Sequence, residues 1–534
     1  MTPRYETGGD PQSITSNALR RSRYSGSTGV AGDRAEGVRQ PHVSPSDLSR
    51  GPRQMITTAR EIFKQHVGWG GGAVAFLLIA GLLALPDNLA PEATLTLAVF
   101  AVAVWMWMFS SLDDTLVALG AASVLVLTNV INVEGLFSTL GDEQTWLLIG
   151  AFIVAGAVGA SGLATRAVVY LCQGRSSPRL LVHTLTLATV ATAYAIPATS
   201  GRAALLIPVF LALAPHVGTP GLNKALSLIL PSVILLSAVG ALIGAGAHLI
   251  TVQILENNGH SGLSFSEWLM LGLPFALVCS HIAAEQLLLQ NTSRQERAQP
   301  VMIKKISVSG LLNQPLNQSE SRILAVLTVT IVLWCTEGLH GVHPALVAVI
   351  AALVVTTPWA GVNDLGASIK KVPWSMILFM AATLALSSAL VVSGAADFLA
   401  NASLNSIPQT SHRSVIFLVG IVVISTAAHL IIQSRSGRSA ALIPLIIAIS
   451  PVFGVNPVAA AFISTAAAGF CHSLPATAKP LALFSALRED HPEMPIFTQS
   501  DLRKFAVTFA PIFVVVTLIF AVLVWPALGL SVFL

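Results

Sequence analysis

Charge is what this sequence has least of. Asp, Glu, Lys and Arg make up 10% of its 534 residues, against roughly 25% in a soluble domain. With 54% hydrophobic residues and a mean hydropathy of +0.75, too little charged surface exists to cover a globule of this size in water. A soluble enzyme, a nucleic-acid binder and a disordered scaffold are set aside; a polytopic membrane protein remains. Cysteine is scarce too. Cys172, Cys279, Cys335 and Cys471 stand far apart with no C-x-x-C pair, which argues against a disulfide framework or a structural metal. No H-E-x-x-H or comparable spacing is present. No apolar core followed by a small-residue cleavage site occurs before residue 68, so a secretory signal peptide is not expected.

What charge there is lies unevenly. Residues 1–66 hold 10 Lys/Arg against 6 Asp/Glu, and the rest of the chain balances at 19 of each. Rich in Ser, Gly, Pro and Arg, this segment cannot bury enough apolar surface to offset its ordering entropy and reads as a disordered cytoplasmic tail. Beyond it, apolar runs long enough to span follow almost without interruption. A first transmembrane helix is expected in 67–90, a first repeat in 91–290, a cytoplasmic linker in 291–321 and a second repeat in 322–534. Two apolar stretches, 183–215 and 414–450, carry a polar, Gly-containing cluster at their middle. Each reads as a re-entrant hairpin, because irregular backbone at membrane depth must line a cavity or be buried in protein.

Basic residues support that topology. With the tail inside, eleven crossings and both hairpins returning to their own side, cytoplasmic connections hold fourteen Lys/Arg and external ones only Arg413. Arg202, Arg435, Arg438 and Lys479 remain within apolar runs. This asymmetry is the positive-inside pattern of an inner membrane.

The chain also repeats itself. Residues 200–208 read SGRAALLIP and 436–444 read SGRSAALIP. WMFSSL (107–112) parallels WCTEGL (334–339), WLLIGAF (146–152) parallels WSMILFM (374–380), and Ser161-Gly162 parallels Ser393-Gly394. Five crossings and one hairpin per half place the second half upside-down relative to the first. The fold class expected is therefore an all-α membrane protein of about eleven helices plus two hairpins in inverted repeats, the plan of a secondary transporter.

Intramembrane charge then marks the site. An arginine at the bilayer centre costs at least ~2.5–3.5 kcal/mol, and Arg202 and Arg438 occupy equivalent places after the tip glycines Gly201 and Gly437. Two readings stand. In one, the guanidiniums bind an anion together with Ser200, Ser436 and helix N-termini starting near Ala203 and Ser439. In the other, each arginine caps the carbonyl end of its hairpin's first arm or snorkels to an interface. Arg435 has no counterpart and reads as a tip or surface contact. Thr477 and Lys479, in LPATAKP, and His248, in LIGAGAH, face the site from two broken helices, or Lys479 pairs instead with a neighbouring carboxylate; His248, His429 and His472 serve either as proton carriers or as structural histidines. Asp113 and Asp114 read as helix caps.

With these landmarks the sequence resembles the divalent anion/sodium symporter family over roughly residues 68–534. The likeness rests on the two Trp-containing span ends, WLLIGAF running into Ser161-Gly162-Leu163, and the paired Leu-Ile-Pro endings (206–208, 442–444). The resemblance implies an elevator mechanism in a homodimer, with a scaffold of early spans and a mobile domain holding the hairpins and broken helices. The family's Ser-Asn-Thr tips are replaced here by Ser-Gly-Arg. Its Gly-Thr-Pro-Pro break is replaced by Gly244-Ala245-Gly246-Ala247-His248 and Ala476-Thr477-Ala478-Lys479-Pro480. Two fixed cations and few side-chain oxygens make a poor sodium cage.

The expected function is secondary transport of a small multivalent anion (dicarboxylate, citrate or sulfate), sodium-independent and coupled to protons or exchange. No cofactor is expected beyond Na+ or H+ as coupling ion, no catalytic residue and no resident metal. The partners are the anionic substrate, membrane lipid and a second copy. Rival readings are a sodium-coupled symporter of the same fold, a cation/proton antiporter, a non-transporting anion sensor and an intramembrane hydrolase. The antiporter lacks buried carboxylates in the hairpins and broken helices before Glu256. The hydrolase lacks a base near Ser200 or Ser436.

Overall fold

The computed structural model describes residues 71, 74, 81, 89–172, 177–301, 316–360, 362–406 and 412–534. The tail expected in 1–66 and most of the span expected in 67–90 lie outside the described residues. Among those described, every principal element is a helix, and the one β-type contact is an isolated bridge between Val455 and Phe533. Nine helices among them are long and apolar enough to cross a membrane.

The first half runs α1 (Pro91–Phe109), α2 (Asp114–Leu127), α3 (Glu143–Ser161), α4 (Leu163–Cys172), α5 (Pro178–Ala195), α6 (Thr199–Leu213), α7 (Pro220–Leu236), α8 (Gly246–Asn257) and α9 (Phe265–Asn291). The second half repeats the series. It runs α10 (Gln318–Cys335), α11 (Pro344–Val355), α12 (Trp374–Val392), α13 (Ala395–Ser406), α14 (Arg413–Ala427), α15 (Arg435–Ile449), α16 (Pro457–Ala467), α17 (Lys479–Asp490) and α18 (Gln499–Ile519). Each helix of the first half therefore has its counterpart nine places on.

Packing follows the same symmetry. α3 lies along α11, and α2 lies along α12; exchanging each helix for its counterpart turns one pair into the other. α8 packs on α15 and α17 on α6, again pairs that exchange. Contacts that cross between halves and interchange in this way are those of two repeats related by a two-fold axis. The axis is inverted when each half crosses an odd number of times.

The Ser-Gly landmarks are the ends of helices. Gly162 and Gly394 both have φ of +75°, a left-handed conformation open to glycine that stops α3 and α12 and restarts the chain as α4 and α13. The apolar runs 145–172 and 373–400 are thus each two helices. Close approach needs glycine elsewhere: a Cβ on Gly150 would stand 2.6 Å from the carbonyl carbon of Ala348 where α3 meets α11.

Side chains cap the helix starts of α2, α3, α9, α10 and α18. Asp113 accepts from Thr115 at the head of α2, and Asp142 from Gln144 at the head of α3. Reciprocal Ser264–Glu267, Asn317–Glu320 and Thr498–Asp501 boxes open α9, α10 and α18, each satisfying two orphan N–H groups. Asp113 is a cap, and Asp114 is the first helical residue.

At the centre, α7 and α8 are buried nearly throughout, as an all-round apolar helix must be. Between them the chain unwinds into two 3-10 turns, Ala238–Gly240 and Leu242–Gly244. The counterpart break between α16 and α17 contains the turn Pro475–Thr477.

Candidate functional site

Besides α2, whose first residue Asp114 places a carboxylate in the lining, four helices begin at one cavity of about 600 Å³. Its lining includes Thr199 and Ser200 from α6, Gly246 from α8, Arg435 and Ser436 from α15, and Lys479 from α17. Two starts are the second arms of the interrupted stretches, and two are the second halves of the broken helices. Three of the four N-caps are alanine (Ala198, Ala245, Ala478) and make no side-chain cap bond. Alanine is a poor cap, by about 0.5–2 kcal/mol against Ser, Thr, Asn or Asp. These starts leave first-turn N–H groups and the positive ends of their dipoles directed at the cavity.

These helix starts lie four residues before the expected Ala203 and Ser439, so Ser200-Gly201-Arg202 and Ser436-Gly437-Arg438 sit in first turns. Gly201 and Gly437 are helical and outside the cavity lining; neither appears among the positive-φ glycines. The chain breaks at Ile196–Ala198 and, in the other half, just before Ser434. Gly437 donates its N–H to the capping hydroxyl of Ser434 at 3.2 Å.

The two equivalent arginines face main-chain oxygen. Arg202 is fully buried and does not line the cavity. It donates to Thr192 Oγ1 at 2.9 Å, Thr189 O at 2.7 Å, Ile234 O at 2.9 Å and Ser237 Oγ at 2.7 Å. These bonds tie α5 and α6 together across their break and join both to the C-terminal end of α7. Arg438, also fully buried, donates to Ile432 O at 2.9 Å, Gln433 O at 3.2 Å and Ala468 O at 3.1 Å. Ala468 closes the C-terminal end of α16. Arg438 does line the cavity, and its Nε is buried without a partner.

Arg435 is the residue that sequence reasoning passed over. It lines the cavity and donates from Nη2 to Leu235 O at 3.0 Å, reaching into the other half. Its Nε and Nη1 are buried and unpartnered. Gly469 leaves it room: a Cβ there would stand 2.8 Å from Nη2. The available signal was the extra charge in Ser-Arg-Ser-Gly-Arg (434–438), where the first half reads Ala-Thr-Ser-Gly-Arg (198–202).

Of the other expected residues, Ser200, Ser436, Thr477 and Lys479 come together at the cavity. The Thr477 hydroxyl is engaged within its own turn, 2.8 Å from Cys471 O and 2.6 Å from Leu474 O. His248 is fully buried behind the lining, bonded through Nδ1 to Ala241 O at 3.0 Å with its ring 5.0 Å from that of Trp268. His429 is bonded to Thr426 O and Ser473 Oγ, and His472 is fully buried. Among the described residues, no group of three or more His, Cys, Asp or Glu could hold a metal ion.

Known proteins share this architecture. MtrF of Neisseria gonorrhoeae, described as illuminating a class of antimetabolite efflux pumps, superposes with a TM-score of 0.54 at 12% identity, covering 85% of this chain and 99% of its own. The YdaH transporter of Alcanivorax borkumensis gives a TM-score of 0.50 at 15% identity, covering 81% and 99%. In sequence, a membrane protein of Cupriavidus necator is 22% identical over 72% of this chain and 79% of its own length. The sodium-dependent dicarboxylate transporter SdcS of Staphylococcus saprophyticus is 23% identical over 78% and 85%. The sodium:sulfate symporter transmembrane region matches residues 72–531. With nearly the whole helical body matched and the paired helix breaks in place, the chain belongs to the sodium:sulfate symporter family of multi-pass membrane transporters.

Proposed function

We propose that this protein is a secondary transporter of a small multivalent anion (dicarboxylate, citrate or sulfate), and that it works without sodium. The supporting observation is the seating of Arg202 and Arg438. In broken-helix transporters, unwound carbonyls and the C-terminal ends of half-helices hold the coupling cation, while half-helix N-termini meet the anion. Here each guanidinium rests on carbonyls at the end of α7 or α16, and four N-termini open on the cavity. A fixed cation sits in each place where a mobile one would bind, and a guanidinium stays charged at any working pH.

In this reading both arginines act through the helix ends they hold. The anion meets first-turn N–H groups, Ser200, Ser436 and the cations of the lining. Coupling then falls to protons or to exchange of one anion for another. The interrupted stretches enter and leave on one side, and they move with α7–α9 and α16–α18 as one elevator body against a scaffold of α1–α4 and α10–α13 in a homodimer. The name of the staphylococcal relatives favours the second reading, a sodium-coupled dicarboxylate symporter.

Purified protein in proteoliposomes should take up labelled succinate, and unlabelled succinate, citrate or sulfate should compete. Uptake should rise with an inward proton gradient or with an internal load of the same anion. Uptake indifferent to all three competitors, or no uptake by correctly inserted protein, would overturn this function.

A further inference from the structure

A second cluster of ionisable groups lies away from the cavity, where the start of α5 meets the last turns of α9. His183 of α5 and His281 of α9 meet through Nδ1 atoms 2.8 Å apart. His183 Nε2 stands 3.1 Å from Glu285 Oε2. Arg179 holds both oxygens of the same carboxylate, through Nε at 3.1 Å and through Nη2. Both histidines are half-buried and reachable from water. Neighbouring elements bring charges that are engaged with one another. Arg166 of α4 and Glu320 of α10 are bonded at 2.9 Å, and Lys224 of α7 and Asp501 of α18 at 2.7 Å. In the short helix Arg294–Ala298, Glu296 is held by Ser293 and Gly221, and Arg297 by Thr292. Arg294, Arg503 and Lys504 are exposed. Among the described residues, the charge bonded to the pair is Glu285, backed by Arg179.

We propose that His183 and His281 form a site for a single proton, a pH sensor that keeps α5 on α9 with none or one bound and releases it when a second binds. The hydrogen count follows from the acceptors. A carboxylate only accepts, so His183 Nε2 carries a hydrogen. His183 Nδ1 is then bare in the neutral ring, and His281 donates to it from its own Nδ1. One added proton, taken at His281 Nε2, turns this bond into a charge-assisted N–H+···N contact and preserves it. A second sets N–H against N–H at 2.8 Å, so the rings must part, and the two histidines titrate as a pair. The contact therefore stands at neutral pH and is lost as pH falls. Its effect reaches the cavity through α5, which carries the pair at one end and Thr189 and Thr192, acceptors of Arg202, towards the other. Arg202 lies in the first turn of α6, which opens on the cavity. Freeing the start of α5 loosens the frame of that helix, and acid slows transport. Only this last step rests on the function proposed above.

The test compares the natural sequence with His281→Gln, His281→Phe and His216→Gln. A glutamine amide donates to a neutral His183 or accepts from a protonated one, so it keeps the bond at every pH, whereas phenylalanine removes it at every pH. His216, exposed and bonded to Ala212 O, is the control. Melting temperatures of detergent-purified protein are measured from about pH 8 to about pH 5, the range in which histidine changes charge. On acidification the natural sequence should lose more of its melting temperature than His281→Gln does. His281→Phe should melt lower at the alkaline end and also lose less, and His216→Gln should follow the natural sequence. Sulfate uptake into proteoliposomes, with equal pH on both sides, gives a second readout, because sulfate keeps both its charges over this range. Uptake at about pH 5.5, relative to that at about pH 7.5, should be about threefold lower for the natural sequence than for His281→Gln. Superimposable melting profiles for these two proteins, or a change in His216→Gln as large as in His281→Gln, would overturn the sensor. Melting profiles that separate beside an unaltered pH dependence of uptake would overturn its link to transport. No sulfate uptake at any pH would count against the transport function instead, and the melting profiles would still decide the pair.

Discussion

At the scale of single residues, an arginine inside a membrane is explained by what its nitrogens touch. Arg202 has four acceptors from three directions, two of them carbonyls and two hydroxyls. Removing it orphans Ile234 O at depth, at about 1–3 kcal/mol, and leaves Thr189 O with the bond from the Thr192 hydroxyl. Arg202→Ala is therefore expected to lower the melting temperature and to abolish succinate uptake while the protein still inserts. Arg202→Lys should not rescue it, since a compact ammonium cannot replace a planar fork of donors. Thermal unfolding in detergent beside uptake checks both; full transport by either variant would contradict the role. That Arg202 and Arg438 are special was legible in the sequence, because two charges at equivalent places in apolar runs demand compensation. Which way they face was not. The acceptors of Arg202 come from α5 and the end of α7, some ten to thirty-five residues away in sequence, and no local pattern announces them. Arg435 was passed over for the complementary reason: its value lies in lacking a counterpart, whereas repetition was the signal being read.

Among elements, the informative contrast is between helix starts. Asp, Ser, Asn or Thr side chains cap α2, α9, α10 and α18, whereas α6, α8 and α17 start without a side-chain cap at the cavity, as α1, α5, α12 and α14 do elsewhere. Installing a cap should compete with the ligand for the same N–H groups. Ala478→Asp is expected to weaken anion binding by at least about tenfold through both its cap bond and its charge. Ala478→Ser should weaken it less. Stabilisation by succinate measures the difference, and an unchanged response to Ala478→Asp would remove the helix ends from the site. A second prediction concerns the α3–α11 contact. Gly150→Ala drives a Cβ to within 2.6 Å of the Ala348 backbone and should destabilise by about 1–3 kcal/mol. Gly156→Ala, with nothing within 4 Å, should be neutral or slightly stabilising. Equal effects on thermal unfolding would contradict the packing. The order of elements was readable because paired motifs recur at nearly constant spacing, and Ser-Gly proved to be a helix stop with a physical cause. The position of helix starts was not, since Ala198 and Ala478 carry none of the chemistry by which a cap is recognised.

For the whole molecule, cross-half pairs that interchange mean that two arrangements of the same contacts are available to one sequence, which alternating access requires. In the elevator reading α8 moves past α12. Gly246 and Met376 meet there, a Cβ at 246 standing 3.5 Å from Met376 Cγ, within reach of a disulfide. With Cys172, Cys279, Cys335 and Cys471 replaced, Gly246→Cys with Met376→Cys should cross-link on oxidation, stop uptake, and recover with reductant. Continued uptake by the cross-linked protein would rule out relative movement of these two helices.

Whether resident guanidiniums stand where mobile cations would bind is measured by succinate uptake into proteoliposomes with sodium replaced on both sides by potassium. Equal initial rates are expected in the two ions. A strict requirement for sodium would contradict that placement, keeping the fold and the family while returning Arg202 and Arg438 to a purely architectural role.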